Sequence, residues 1–239
     1  MHIDHVVYAT NDLDAAAERL EAELGLPTLP GGRHEGLGTH NRIMPLGGGY
    51  LELLAVGDSE EMSHSGLGVA MRTLIEQTAD GLAMWAVAVD DVGPIAARLG
   101  TSVIEIARRG LSASLTGLME STREPFLPFF ISRHRGVADP GSGGDAGGIS
   151  WIEVGGDAAR LEEWSGGAVL PVRVVEGAAG VRAVGIGNRE LRTGLPARNP
   201  GGSSCTARCS SAGEAGLADR GGSPQSSGAV RFRLRERER

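Results

Sequence analysis

Residues 2–20 read HIDHVVYATNDLDAAAERL, an apolar run that passes through a short polar break into an amphipathic one. Ile3, Val6, Val7 and Tyr8 favour a strand through their β-branched and aromatic side chains. Asn11 or Asp12 is placed to cap a helix in which Leu13, Ala16 or Ala17, Leu20 and Leu24 fall on one face at helical spacing. Gly25 ends that helix, as a residue that takes positive φ at little cost. Downstream, THNRIMPL (39–46) and GYLELLAV (49–56) read as two strands divided by the glycines at 47–49. The first unit is therefore β-α-β-β or β-α-β-β-β, according to whether RHEGLG at 33–38 is a loop or a strand.

The opening pattern returns. LAMWAVAVDDVGPIAARL (82–99) superposes on it when Asp12-Leu13 is laid on Asp91-Val92, an offset of 79 residues that sets Met84 against His5. The strand FFISR (129–133) corresponds to YLELL at an offset of 80, which sets Ser132 against Glu52. Two anchors with nearly one offset indicate a tandem repeat. The expected division is a first module over 1–57, a connecting segment over 58–80, a second module over 81–135 and a partial third unit over 136–193. The connecting helix is expected at 66–78, with Leu67, Met71, Leu74 and Ile75 on its buried side. In the third unit ISWIEVGGDAARLEEW (149–164) is strand then helix, and LPVRVVEG and VRAVGIG supply two more strands.

From about residue 194 the chain turns to Gly, Ser, Pro and Arg. Such a stretch cannot bury enough surface to offset its ordering entropy, so 194–229 is expected to be disordered. The closing VRFRLRERER reads as a solvated basic tail, with an added edge strand as the alternative. Cys205 and Cys209 lie in this region without a second pair or a nearby His, which does not make a zinc site.

Composition narrows the function classes. The 239 residues are 41% hydrophobic and 22% charged, as in a soluble globular protein. No apolar run approaches the roughly 20 residues that span a bilayer, and no signal-peptide pattern opens the chain. No membrane partner is expected, and the expected location is cytoplasmic. A net charge of −7 argues against a general affinity for nucleic acid. Every basic residue is Arg, for the chain contains no Lys.

Taken together, DHVVYATNDLDAA, GGRHEGLGTHNRIMPLG and GYLELLAV resemble the glyoxalase-like branch of the vicinal oxygen chelate superfamily, which also holds bleomycin resistance proteins and extradiol dioxygenases. The resemblance covers about residues 1–192 and is strongest over 1–57. It implies an α+β fold of tandem βαβββ modules forming curled mixed sheets, here with a partial third βαββ unit. It also implies a cup that holds a small-molecule ligand, and it admits a homodimer, since such modules also pair across subunits.

In the metal-dependent members of that superfamily, His and Glu ligands come from the first and last strands of each module. The matching positions here are His5 and Glu52, then Met84 and Ser132. The first pair suits a divalent metal such as Zn, Mn, Fe or Ni. A thioether and a hydroxyl do not, so the second pair departs from the pattern. His40 or His134 would complete a two-His, one-carboxylate set, and Glu153 is a further candidate ligand if WIEV is matched to YLEL. Glu52 is the candidate catalytic carboxylate, because burying it in an apolar strand is costly without a partner. Arg33, His34, Asn41, Phe130 and Trp151 are the candidate substrate contacts. Two functions follow. One is metal-assisted lyase, isomerase or dioxygenase-type chemistry on a molecule with adjacent oxygens; the other is metal-free binding or sequestration of a small molecule on the same fold.

Overall fold

The structure, a computed structural model, describes residues 1–108 and 111–193. The expectations for 194–229, for the closing VRFRLRERER and for Cys205 and Cys209 lie outside the described residues. The first strand, β1 (His2–Ala9), runs into helix α1 (Leu13–Leu24), whose first turn is capped by the Asp12 carboxylate accepting from the backbone of Asp14 and Ala15. Such a cap is worth about 1 kcal/mol. Gly25 closes the helix at φ 66°. The chain returns through β2 (Leu29–His34), β3 (Thr39–Pro45) and β4 (Tyr50–Val56), so the first module is β-α-β-β-β and RHEGLG divides between a strand end and a turn.

The second module follows the same plan in β5 (Gly81–Ala88), α4 (Gly93–Leu99), β6 (Val103–Arg108), β7 (Leu111–Thr116), α5 (Leu118–Arg123) and β8 (Phe129–Arg133). The bounds of β1 and β5 differ by the 79 residues read from the sequence. The eight strands form one sheet in the order β2-β3-β4-β1-β5-β8-β7-β6. Each module's first strand is parallel to its last, and β1 meets β5 antiparallel at the centre. The two modules are thereby joined within a single chain.

Alternation along the central strands separates two cores. Val6, Tyr8, Trp85 and Val87 face one side, where they pack with α1 and the third unit. Val7, Ala9, Met84 and Ala86 face the other, the cup. The connection between the modules is folded over the cup as α2 (Ser59–Ser63) and α3 (Gly66–Thr78), which bury Met62, Met71, Leu74 and Ile75 there.

The third unit contains β9 (Ile149–Gly155), α6 (Ala158–Ser165), β10 (Val172–Val175), β11 (Gly180–Ile186) and β12 (Arg189–Arg192), in a separate sheet of order β10-β9-β11-β12. It has one strand beyond the two expected after its helix, a short β12 that pairs antiparallel with β11. Its first strand lies inside the sheet with β11 as neighbour, so it does not repeat the strand order of the two modules. Ile152, Val154, Trp164 and Val184 press it onto the outer core. The buried indoles there are satisfied: Trp85 donates to the Phe126 carbonyl at 3.0 Å and Trp164 to the Pro128 carbonyl at 2.8 Å. Among the described residues no helix is long and apolar enough to cross a membrane.

Candidate functional site

The cup holds a half-open cavity of about 70 Å³. Its polar lining side chains are His5, His34, Thr39, Asn41, Tyr50 and Glu52, all from the first module. The second module contributes apolar surface, including Met84, Leu115, Leu118, Phe129 and Ile131, and Met71 of α3 closes over it. Strand alternation produces this division. Tyr50, Glu52 and Leu54 share the inward face of β4, and Thr39, Asn41 and Ile43 that of β3.

His5 is at the centre of the polar wall, 3% exposed. Its Nδ1 lies 2.5 Å from Oδ1 of Asp4, which is itself buried. Its Nε2 lies 3.4 Å from Oε2 of Glu52. The ring stacks on Tyr50 with centroids 4.5 Å apart, and Phe129 meets it edge-on at 5.3 Å. Gly49, at φ 86°, lets β4 start this close to β1, for a Cβ there would stand 2.6 Å from the Asp4 carbonyl oxygen.

Asp4 is held from the second module. Arg133, at the end of β8, donates from both terminal nitrogens to the Asp4 carboxylate, with Nη2 to Oδ1 at 2.8 Å, and also to the Tyr50 hydroxyl at 3.2 Å. Burial pushes the Asp4 pKa up, but the hydrogen bonds from Arg133 and His5 outweigh it and hold the carboxyl well below the usual carboxylate range. Asp4 is therefore an anion, and the bond from His5 is N–H donated to a carboxylate, which leaves Nε2 pointing at Glu52 and the cavity. Burial raises the Tyr50 pKa well above its ordinary value, so its hydroxyl stays neutral.

Glu52 is fixed by Asn41. The Asn41 carbonyl oxygen accepts from the Gly32 amide at 2.8 Å, which orients the side-chain amide so that Nδ2 donates to Oε1 of Glu52. His34 stands beside them, with Nδ1 2.9 Å from the Thr39 hydroxyl and Nε2 3.8 Å from Oε1 of Glu52.

The other residues singled out in the sequence lie elsewhere. His40 falls on the opposite face of β3 from Asn41, near Gly57. His134 follows the end of β8 and reaches Glu105 and the hydroxyls of Ser112 and Ser114 on a half-exposed surface. Glu153 belongs to the separate sheet, where Arg173 at 2.5 Å and Arg192 at 3.1 Å neutralise it. Arg33 is paired with Asp58 and Glu61 outside the cavity. Phe130 packs in the outer core against Trp164, and Trp151 carries the Arg173 guanidinium over its ring. Ser132 turns away from the cup and donates to the Asp90 carbonyl. The offset of 80 is thus corrected to 79 by the strand starts, Tyr50 and Phe129, and one residue of slip exchanges faces. The position matching Glu52 is then Ile131, while the ladder to β5 brings Phe129 to that level. Neither offers a polar atom.

These residues do not fit a resident metal ion. His5 Nε2 and Glu52 Oε2 are near enough to share one, but the second module adds only a thioether and hydrocarbon. Among the described residues, no three His, Cys, Asp or Glu side chains converge as such an ion requires. Asp4, Arg133 and Tyr50 were not singled out from the sequence. The signal available for Asp4 is a charged residue beside His5 inside a buried strand.

Similar folds occur among solved structures. A hypothetical protein from Staphylococcus aureus matches with a TM-score of 0.61 at 16% identity, over 77% of this chain and 89% of that one. Methylmalonyl-CoA epimerase from Streptomyces coelicolor, in complex with 2-nitronate-propionyl-CoA, matches with a TM-score of 0.44 at 22% identity, over 55% of this chain and 96% of that one. The epimerase from Mycobacterium tuberculosis gives 0.41 at 17% identity, over 55% and 86%. No curated protein sequence matches the chain. Residues 3–166 match the model of the glyoxalase-like domain, and the chain belongs to that family, within the vicinal oxygen chelate superfamily.

Proposed function

We propose that this protein binds a small organic molecule in the cup, with the His5–Glu52 pair meeting its polar head directly and the second module holding its apolar body. The observation that carries the reading is the division of one cavity into a polar wall and an apolar wall from different modules. A few convergent polar groups in an otherwise apolar pocket are the usual form of a ligand site. Glu52 is 9% exposed, and burying a carboxylate costs several kcal/mol unless its oxygens are paired. Asn41 pairs one of them. The other faces His5 Nε2 at 3.4 Å, a contact that a bound group bridging both atoms would improve.

The metal-assisted lyase, isomerase or oxygenase chemistry suggested by the superfamily needs ligands that Met84, Phe129 and Ile131 do not supply, so the reading is metal-free. A second reading, proton transfer on the bound molecule, is favoured by the continuous line from Asp4 through His5 to Glu52. An imidazole beside a carboxylate is a pair between which a proton can pass. A fragment screen by calorimetry, run with and without EDTA, tests the proposal. Binding is expected to survive the chelator and to weaken tenfold or more in His5→Ala and Glu52→Ala. Binding abolished by EDTA, or unchanged in both variants, refutes it.

A further inference from the structure

Resting on the reading of the cup as a ligand site, we infer that Arg133 is a positioning residue for His5. Its charge keeps the proton of the Asp4–His5 bond on Nδ1, so that the cavity-facing Nε2 is the ring nitrogen whose proton can vary. The second module, which lines the cavity with apolar side chains, thereby governs the polar wall through one guanidinium.

The arrangement begins with a break in β1. Adjacent residues of a strand point to opposite faces, yet the side chains of Asp4 and His5 meet at 2.5 Å. The ladder to β5 steps from Ile3 opposite Val87 to His5 opposite Ala86, so Asp4 is an extra residue in β1 with no counterpart there. Such a bulge re-aims side chains. At this separation one of the two facing atoms carries a proton, and two forms satisfy that. Either Nδ1–H donates to a carboxylate, or a carboxylic acid donates to Nδ1 and the ring carries its proton on Nε2. Burial alone favours the second form, because it opposes a charged Asp4. Arg133 decides for the first. It donates from both terminal nitrogens, one to each oxygen, and a carboxylate held in that way is an acceptor only.

The same guanidinium reaches the face of the ring. Nη2 also donates to the Tyr50 hydroxyl at 3.2 Å, and Cζ lies 5.7 Å from the centroid of the Tyr50 ring. That ring stacks on His5 at 4.5 Å. Two restraints on the imidazole, one at its edge and one on its face, run through a single side chain. With Nδ1 held by Asp4, His5 exchanges a proton with Glu52 or a bound molecule at Nε2, which lies 3.4 Å from Glu52 Oε2.

The test is a long-range proton–nitrogen correlation spectrum of the full chain at neutral pH, with the His5 ring signals identified by their loss in His5→Gln. Protonated and bare ring nitrogens resonate far apart. Wild type is expected to show His5 Nδ1 in the protonated range. Arg133→Gln, which keeps a donor and removes the charge, is expected to move it towards the bare range, and Arg133→Lys, which restores the charge, to return it. Leu161→Ala, which loosens the outer core away from this network, is expected to leave it in place. Affinity for the fragments found by the calorimetric screen is expected to fall about tenfold in Arg133→Gln, roughly the loss of one charged hydrogen bond, and to recover in Arg133→Lys. A bare Nδ1 in the wild type overturns the inference. So does an Nδ1 signal that stays put in Arg133→Gln, moves as far in Leu161→Ala, or is not restored in Arg133→Lys. Unchanged fragment affinity in Arg133→Gln overturns it as well. A wild type that binds no fragment sinks the reading of the cup, while the nitrogen signals still decide whether Arg133 places the proton.

Discussion

Replacing Arg133 by Met removes the cation that holds Asp4 and leaves a buried carboxylate with one donor, His5, in place of three. Asp4 is 4% exposed and the Arg133 side chain 14%, so water reaches the pair poorly. Removing one partner of a buried pair costs about 3–5 kcal/mol, and two lost hydrogen bonds to a charged group account for a similar sum at about 1.5–3 kcal/mol each. For a folded body of this size that corresponds to a fall in Tm of roughly 10 °C. The second substitution Asp4→Asn, made in the Arg133→Met background, removes the stranded charge and is expected to recover more than half of the loss. Urea unfolding at neutral pH measures both. A loss below about 1 kcal/mol for Arg133→Met, or no recovery in the double variant, refutes the account of Asp4 as a buried anion neutralised across the two modules.

Three further outcomes are expected. Because the folded pKa of Asp4 is depressed, its stabilisation is present above the unfolded carboxylate value near 4 and is lost as pH falls towards the folded one. The stability gap between wild type and Asp4→Asn, followed by urea midpoint against pH, therefore narrows below about pH 4. His40→Ala and His134→Ala leave binding of the fragments found by the calorimetric screen within about twofold of wild type, since neither side chain lines the cup; a tenfold loss in either would show that the cavity is misassigned. Gly49→Ala destabilises by about 1–3 kcal/mol in the same unfolding assay, because the residue sits at φ 86° and its Cβ would press on the Asp4 carbonyl.

The parts of the fold set by local periodicity were legible. Strand β1, its capped helix and the repeat at an offset of 79 residues follow from apolar spacing together with Asp12 and Gly25, which act within a few residues of themselves. The pairing of His5 with Glu52 was legible for a similar reason, since a carboxylate in an apolar strand calls for a partner and the family resemblance supplied one. What pairs across modules was not. Asp4 and Arg133 are 129 residues apart, and no periodicity marks two charges that meet only once the sheet has formed. Ser132 was set opposite Glu52 through a slip of one residue, which composition cannot detect when both registers begin on Phe. His40 failed on the alternation of β3, which Asn41 satisfies. His134 and Glu153 found local partners in Glu105, Arg173 and Arg192, and sequence spacing does not reveal that such neighbours come near. The extra strand β12 is four residues long, too short for an alternating pattern to stand out.

The central claim is that the polar wall meets an organic head group directly, without a resident ion. Elemental analysis of the untagged protein, after dialysis against Zn, Mn, Fe and Ni in turn and removal of free metal, tests it most directly. The account predicts less than about a tenth of an equivalent per chain for every metal. One equivalent retained by the wild type, and lost in both His5→Ala and Glu52→Ala, would contradict it.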